Sequence, residues 1–339
     1  MYQYAQLVHF MKHPELVMLP ASVDIDLTNI CNQDCYYCDS ADFRKSHPTA
    51  QTIDNYLKLI DQLTTWKNYS SNLTGNVNTI CFSGSGEPTL FKGFEKIIDY
   101  SITRGFRTSM TTNGTNLDKL IDYVNPLNLK KIAWIGVDID AGTEELYEKI
   151  RSTKNKSIFS KVIKNIKDLV VAGANVDLKI LLSEHNSTIG ALTDIFKLAQ
   201  DLQVRMIYFR PTVINYTAFD CNPYVELIDQ LSLEYNVPTR INLKKFQPRT
   251  YSRCHQMYAF LIFCPDGNMY SCCENKGNPL YSIGSWVDAD FRKSWYETNH
   301  HNMYNSINTK LCPPCRSHNH NLAIEKVLQN PENQDELFY

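Results

Sequence analysis

Cys31-Asn-Gln-Asp-Cys35-Tyr-Tyr-Cys38 places three thiols on one short polar stretch. A cubane iron–sulfur cluster is usually held by four cysteine thiolates, so three on a loop leave one iron free for an exogenous ligand. Structural zinc is the competing reading, but zinc prefers four closed ligands and no fourth is evident nearby. A second group, Cys254, Cys264, Cys272, Cys273, Cys312 and Cys315, is large enough for a separate metal centre, and spacing alone does not separate iron–sulfur from zinc. Of the remaining cysteines, Cys81 lies in the apolar Thr79 to Ser83 run and reads as a buried inert thiol, and Cys221 as a spare packing or surface cysteine. His318 and His320 follow Cys315; an imidazole ligand is one reading, and solvated surface histidines the ordinary one.

These groups need elements to position them. From Ala21 to about Thr212 short β-rich segments alternate with amphipathic helical ones, as in repeated βα units around a parallel sheet. Strands are expected at Ser22–Leu27, Thr79–Ser83, Arg107–Thr111, Ile132–Ile139, Val176–Leu182 and Met206–Arg210. Helices are expected at Ile53–Leu63, Phe94–Thr103, Leu117–Val124, Ser157–Ala172 and Ile189–Leu202, where apolar residues recur at three- and four-residue spacing. Six units fall short of the eight of a closed barrel, so the fold expected is α/β, a partial (βα)6 TIM-type barrel whose loops after the strand C-termini form the site. Trp66 to Asn78 reads as an extended loop, and Tyr224 to Tyr235 as a further helix followed by a polar linker, Pro238 to Thr250. Beyond it, Pro265-Asp266-Gly267 between two apolar runs reads as a β-hairpin turn. The expected divisions are an N-terminal segment (1–20), the barrel (21–215), a helix and linker (216–250), a small cysteine-rich hairpin and helix domain (251–322) and a tail (323–339).

Composition excludes several classes. Apolar residues are 43% and charged residues 21%, with 34 Lys plus Arg against 36 Asp plus Glu, so the chain is globular and carries no strong positive field. Nucleic acid is not expected as a partner, although Lys244 and Lys245 in the linker could contact phosphates. No apolar run reaches membrane-spanning length and no secretory pattern opens the chain, so no membrane partner and a cytoplasmic location are expected. A reducing compartment favours metal binding or catalysis over disulfides for these cysteines.

The three-cysteine spacing after a first strand resembles the signature of the radical S-adenosylmethionine (radical SAM) superfamily. Ser83-Gly84-Ser85-Gly86-Glu87-Pro88-Thr89 is similar to that family's Gly-Gly-Glu-Pro element, with Ser85 interrupting the glycine pair. Thr111-Thr112-Asn113-Gly114 resembles its ribose-side segment, and Val137-Asp138-Ile139-Asp140 its next strand end, with Asp138 where many members carry serine. The resemblance implies a 4Fe-4S cluster on Cys31, Cys35 and Cys38. It implies S-adenosylmethionine (SAM) bound by Gly86, Glu87, Thr112, Asn113, Asp138, Asp140 and Arg210, with Glu87 receiving the methionine ammonium and Arg210 the carboxylate. Reductive cleavage of SAM to a 5′-deoxyadenosyl radical and hydrogen abstraction from a substrate follow from it, with an electron donor such as flavodoxin or ferredoxin. Turn formation or helix capping is the plainer role for Thr112, Asn113, Asp140 and Thr143.

Cys254, Gly267 and Cys272 resemble the opening of a SPASM or Twitch extension, which implies an auxiliary 4Fe-4S cluster on Cys254, Cys272, Cys312 and Cys315. Zinc remains the alternative for the same four. Adjacent strand residues point oppositely, so Cys273 is expected to face away from Cys272 unless the strand bends. A thiol there can return a hydrogen atom to a carbon radical, as in radical SAM peptide epimerases. The expected activity is modification of a ribosomally made peptide, epimerisation being one form. Oxidation or rearrangement of a sugar, aminocyclitol or other small metabolite is a second reading, and a non-catalytic metal-stabilised binding module a third.

Overall fold

The computed structural model describes residues 19–20, 22–47, 49, 51–66, 77–152, 157–242, 249–288, 290–296 and 298–329. Most of the N-terminal segment, most of the Trp66 to Asn78 loop, Lys244, Lys245 and the tail from residue 330 lie outside the described residues.

Strict alternation in Ser-Val-Asp-Ile-Asp sends Val23 and Ile25 to one face and Asp24 and Asp26 to the other, which makes β1 (Ser22–Asp26) a strand with one apolar side. The same division recurs in β2 (Thr79–Ser83), β3 (Arg107–Thr112), β4 (Trp134–Asp138), β5 (Val176–Leu182) and β6 (Met206–Pro211). These six strands lie side by side in sequence order and are all parallel. Their outer faces, including Ile25, Phe82, Val137, Leu178 and Phe209, are fully buried beneath the intervening helices. Those helices run Ile53–Thr65, Phe94–Thr103, Asp118–Tyr123, Glu144–Arg151, Ile158–Val171 and Ile189–Asp201. Thr52, Thr143 and Thr188 each cap one by accepting a backbone N–H with the side-chain oxygen. The partial (βα)6 architecture is therefore the one expected from periodicity.

Several differences from that expectation have local causes. Ala41–Ser46 and Glu144–Arg151 are helices not among those expected: the first is six residues long and buries only Phe43, whereas the second is eight residues long and buries Tyr147, Ile150 and Arg151. A two-stranded hairpin, β7 (Val213–Ile214) and β8 (Thr217–Ala218), turns on Asn215 and Tyr216, both with positive φ. The linker contains β9 (Thr239–Ile241), which extends the sheet by pairing with Ile207 to Phe209.

The cysteine-rich region is built onto the opposite edge. β10 (Phe260–Phe263) pairs parallel with β1, and β11 (Asn268–Tyr270) and β12 (Ser282–Ser285) follow antiparallel, giving one sheet of ten strands. The hairpin turn is the one expected, with Gly267 at φ 86° where a side chain would be strained. The strand ends at Tyr270, however, and Cys273–Asn275 is a turn of 3-10 helix, so the alternation expected to separate Cys272 from Cys273 does not apply. An aromatic cluster supports this edge: Phe263 meets Phe291 at 5.0 Å and Trp286 at 6.1 Å, edge to face. No helix among the described residues is long and apolar enough to cross a membrane.

Phe263 is fully buried on β10, in register with Ile25 of β1 and against Trp286 and Phe291. Phe263→Ala is expected to cost about 3–5 kcal/mol. Circular dichroism and tryptophan fluorescence should report one shared, destabilised unfolding transition; two separated transitions would show that the halves unfold independently.

Candidate functional site

The loop carrying Cys31, Cys35 and Cys38 leaves the C-terminal end of β1 and is gripped from three strand ends. The first grip is backbone on backbone: the Gly86 N–H donates to the Thr28 carbonyl at 3.1 Å and the Glu87 N–H to that of Ile30 at 2.8 Å. A Cβ on residue 86 would lie 2.3 Å from the Ile30 oxygen and 2.5 Å from the Thr28 oxygen, so only glycine permits the approach. Ser85, which interrupts the expected glycine pair, donates to Asp26 through its backbone N–H at 3.2 Å and its hydroxyl at 3.1 Å.

Glu87 forms the second grip. Its carboxylate accepts from the Thr89 N–H (3.1 Å) and hydroxyl (2.6 Å), the Thr112 hydroxyl (2.7 Å) and the Asn113 N–H (2.7 Å). Those four donors match the acceptor capacity of a carboxylate. In this arrangement Glu87 and Thr112 tie the end of β2 to the end of β3, and Asn113 passes the connection on by donating to Asn32 of the cysteine loop at 2.8 Å. Asn32 in turn donates to the Thr115 hydroxyl at 3.0 Å.

The third grip comes from β4 and the helix after it. Asp140, fully buried and at φ 57°, accepts from the Leu181 N–H at 2.6 Å and the Tyr37 hydroxyl, and pairs with Arg151 at 2.7 Å. Arg151 is itself buried, and its other terminal nitrogen lies 3.6 Å from the Cys35 sulfur and 3.5 Å from the Gln33 oxygen. Arg44 donates to the Cys38 sulfur at 3.7 Å. Burial pushes the Cys31 and Cys38 thiols up, and Arg44 pulls both back toward the thiolate that a metal cluster requires. This donor set fits an iron–sulfur cluster: three thiols on one loop, two of them facing guanidinium groups. Neither arginine was foreseen from the sequence: both lie on helices outside those expected, and Arg151 meets Cys35 only because the fold brings together residues 116 positions apart.

The inner faces of the strands form a polar lumen beneath this loop. Asp138 holds Lys179 at 3.1 Å, and Lys179 also donates to the Thr111 hydroxyl at 3.3 Å. Burial lowers the Lys179 pKa against the pull of Asp138, with Arg210 adding to the depression. Arg210, at the end of β6, lies over the Tyr208 ring at 5.8 Å. Cys81 faces this lumen beside Asp24 and Ser109 and is pushed by burial to about 12, in keeping with an inert thiol. Cys221 is buried in the core. Asp24 is half-buried, accepts from the Ser83 hydroxyl at 3.2 Å, and is raised by burial to about 6.

The fold brings the four C-terminal cysteines into one neighbourhood. Burial, then the proximity of Cys272, Cys315 and Cys312, holds the Cys254 thiol far above its ordinary value; Cys272 is pushed by burial to about 11. Asn275 donates to the Cys272 sulfur at 3.3 Å, and the Tyr281 hydroxyl lies 3.7 Å from that of Cys312. Arg249 clamps the Cys312 loop by donating to the Thr309, Cys312 and Pro313 carbonyls. Among the described residues no three His, Cys, Asp or Glu side chains are arranged to hold a single metal ion. Cys264 is buried with its sulfur 3.9 Å from Asp26, and Cys273 contacts Glu274 at 3.7 Å. His318 is buried against Tyr251, contrary to the surface position expected, and neither ring nitrogen has a hydrogen-bond partner among the described residues. His320 is exposed and contacts Gln256 at 3.0 Å.

A sequence-family model described as the Radical SAM superfamily matches residues 25–186. A probable GTP 3',8-cyclase of Saccharolobus islandicus is 26% identical over 268 residues, covering 77% of this chain and 76% of that protein. The crystal structure of Streptococcus suis SuiB bound to precursor peptide SuiA superposes with a TM-score of 0.67 at 13% identity, covering 90% of this chain and 71% of that one. Native anSMEcpe with bound AdoMet gives a TM-score of 0.60 at 15% identity, covering 84% and 83%. At these identities the two solved structures speak to fold.

Gly86→Ala is expected to destabilise the chain by about 1–3 kcal/mol and to displace the cysteine loop. Iron content after anaerobic reconstitution should fall while circular dichroism keeps the folded signal; wild-type iron loading would count against the backbone contact as the determinant. For Asp24, the folded chain binds the proton more tightly than the unfolded one, so this carboxyl's contribution to stability declines as pH rises from 3.8 to about 6. Asp24→Asn should flatten that slope in denaturant titrations taken across the window, and an unchanged slope would assign it to other groups.

Proposed function

We propose a function on the premise that this chain belongs to the radical SAM superfamily through its domain at residues 25–186: it is a radical SAM enzyme that modifies a ribosomally made peptide. The observation that carries the chemistry is the cysteine loop, with guanidinium groups 3.6 Å from the Cys35 sulfur and 3.7 Å from the Cys38 sulfur. A 4Fe-4S cluster bound there supplies reductive cleavage of SAM to a 5′-deoxyadenosyl radical that takes a substrate hydrogen. This chain's residues hold and orient the reactants. Cys31, Cys35 and Cys38 are the cluster ligands, with an electron donor of the flavodoxin or ferredoxin type. Gly86, Glu87, Thr112, Asn113 and Asp140 shape the SAM side of the loop through the contacts described, whereas Asp138, paired with Lys179, and Arg210 face the lumen.

The peptide reading draws on the fold shared with SuiB, which binds a precursor peptide. It also draws on a cavity of about 390 Å³ whose lining includes Pro211, Tyr216, Phe219, Asp220, Cys221 and Pro314. A chain entering there passes beside the Cys312 to Cys315 loop, where Cys254, Cys272, Cys312 and Cys315 would hold an auxiliary 4Fe-4S cluster, zinc being the alternative. Cys273, next to that group, is the proposed hydrogen-atom donor for an epimerisation. A second reading, rearrangement or oxidation of a small metabolite, is favoured by the 26% identity to a probable GTP 3',8-cyclase and by the lumen cations Lys179 and Arg210, which suit an anionic substrate.

Anaerobic reconstitution with iron and sulfide should give about eight irons per chain and dithionite-dependent release of 5′-deoxyadenosine. Cys35→Ala should abolish that release and keep about four irons; retained release would overturn the site. About four irons plus zinc in the wild type would replace the auxiliary cluster with zinc, and a loaded cluster without release would favour a binding module. With a peptide substrate in D2O, Cys273→Ala should keep SAM cleavage and lose deuterium incorporation; unchanged incorporation would remove Cys273 as donor.

A further inference from the structure

We infer that Arg151 is a positioning residue for the cysteine loop, set by Asp140 and Tyr37 so that its guanidinium donates to the Cys35 sulfur and eases reduction of the cluster bound there. This rests on the assignment of Cys31, Cys35 and Cys38 proposed above.

The geometry is directional. Arg151 ends the Glu144–Arg151 helix, its side chain 5% exposed, and turns away from solvent into the space between that helix and the loop. One terminal nitrogen pairs with Asp140 at 2.7 Å. The other lies 3.6 Å from the Cys35 sulfur and 3.5 Å from the Gln33 oxygen. The guanidinium also sits over the Tyr37 ring, 5.9 Å from its centroid, and the Tyr37 hydroxyl donates to the same Asp140. Gln33 is fixed in turn by donating to the Tyr147 hydroxyl at 2.7 Å. Asp140, Tyr37 and Gln33 thus hold the guanidinium with one terminal nitrogen toward Cys35, while its Nε meets no hydrogen-bond partner among the described residues.

The arrangement suits a redox centre. Adding an electron increases the negative charge on the sulfur ligands, and a fixed cation donating to one of them stabilises the reduced form over the oxidised form. Because Asp140 balances the charge of Arg151, the pair is tolerated in the interior, while its positive member is the one beside the sulfur.

The test is a redox titration monitored by electron paramagnetic resonance, with dithionite as reductant, on the reconstituted full chain. The cluster whose signal changes on adding SAM is the one followed. Arg151→Met combined with Asp140→Asn removes both charges without stranding either. The reduced-to-oxidised ratio at fixed solution potential is expected to fall about tenfold, which is about 59 mV for one electron. Arg151→Lys keeps the charge but cannot reach both Asp140 and Cys35, and its midpoint is expected between the two. A merely structural role would shift the melting temperature and leave the midpoint unchanged. Wild-type midpoints in both variants would overturn the inference alone, whereas a wild-type protein with no SAM-responsive cluster would overturn the site assignment and this inference with it.

Discussion

The buried ion pair between Asp140 and Arg151 is the constraint around which the rest of the site is arranged. Both side chains are buried, and leaving one without the other would cost about 3–5 kcal/mol. The pair is held because every neighbour contributes: the Leu181 N–H and the Tyr37 hydroxyl satisfy the carboxylate, and Gln33 and Cys35 meet the guanidinium. Through those partners β4, β5, the Glu144–Arg151 helix and the cysteine loop become one unit. Asp140 occupies the left-handed region, which an aspartate tolerates better than most residues.

A second constraint runs through backbone atoms alone. Gly86 approaches the Thr28 to Ile30 backbone so closely that no side chain fits, and Glu87 turns that contact toward β3. The glycine–acid element therefore builds the loop before it can serve a ligand. Residues whose types suggest ligand contact are, in several cases, already committed to holding other residues: Glu87, Thr112 and Asp140 spend their polar atoms on neighbouring strand ends. The side chains that remain directed into the lumen, Asp138, Lys179 and Arg210, combine one carboxylate with two cations.

The cysteine-rich region shares the barrel's sheet. Because β10 pairs with β1, the strand that launches the first cysteine loop is flanked by the strand that leads to the second cysteine group. Lys276, from that region, pairs with Asp26 of β1 at 2.9 Å and lies over Phe43, five residues after Cys38. The two cysteine groups are thereby linked through one strand and one buried ion pair.

What the sequence determined by itself was whatever depends on local pattern. Alternation in Ser22–Asp26 and Thr79–Ser83, helical spacing in Phe94–Thr103 and the turn at Gly267 each require only near neighbours, and the structure has them where the pattern puts them. The spacing of Cys31, Cys35 and Cys38 likewise suggested a metal cluster, because ligands proposed on one loop are close in sequence. Only the tertiary structure decided what depends on distant segments meeting. Arg151 reaches Cys35 across 116 positions of sequence, Lys276 reaches Asp26 across 250, and β10 pairs with β1 although the whole barrel lies between them in sequence. The burial of His318 and the saturation of Glu87 belong to the same class, since no local pattern records which partners folding brings to a polar atom.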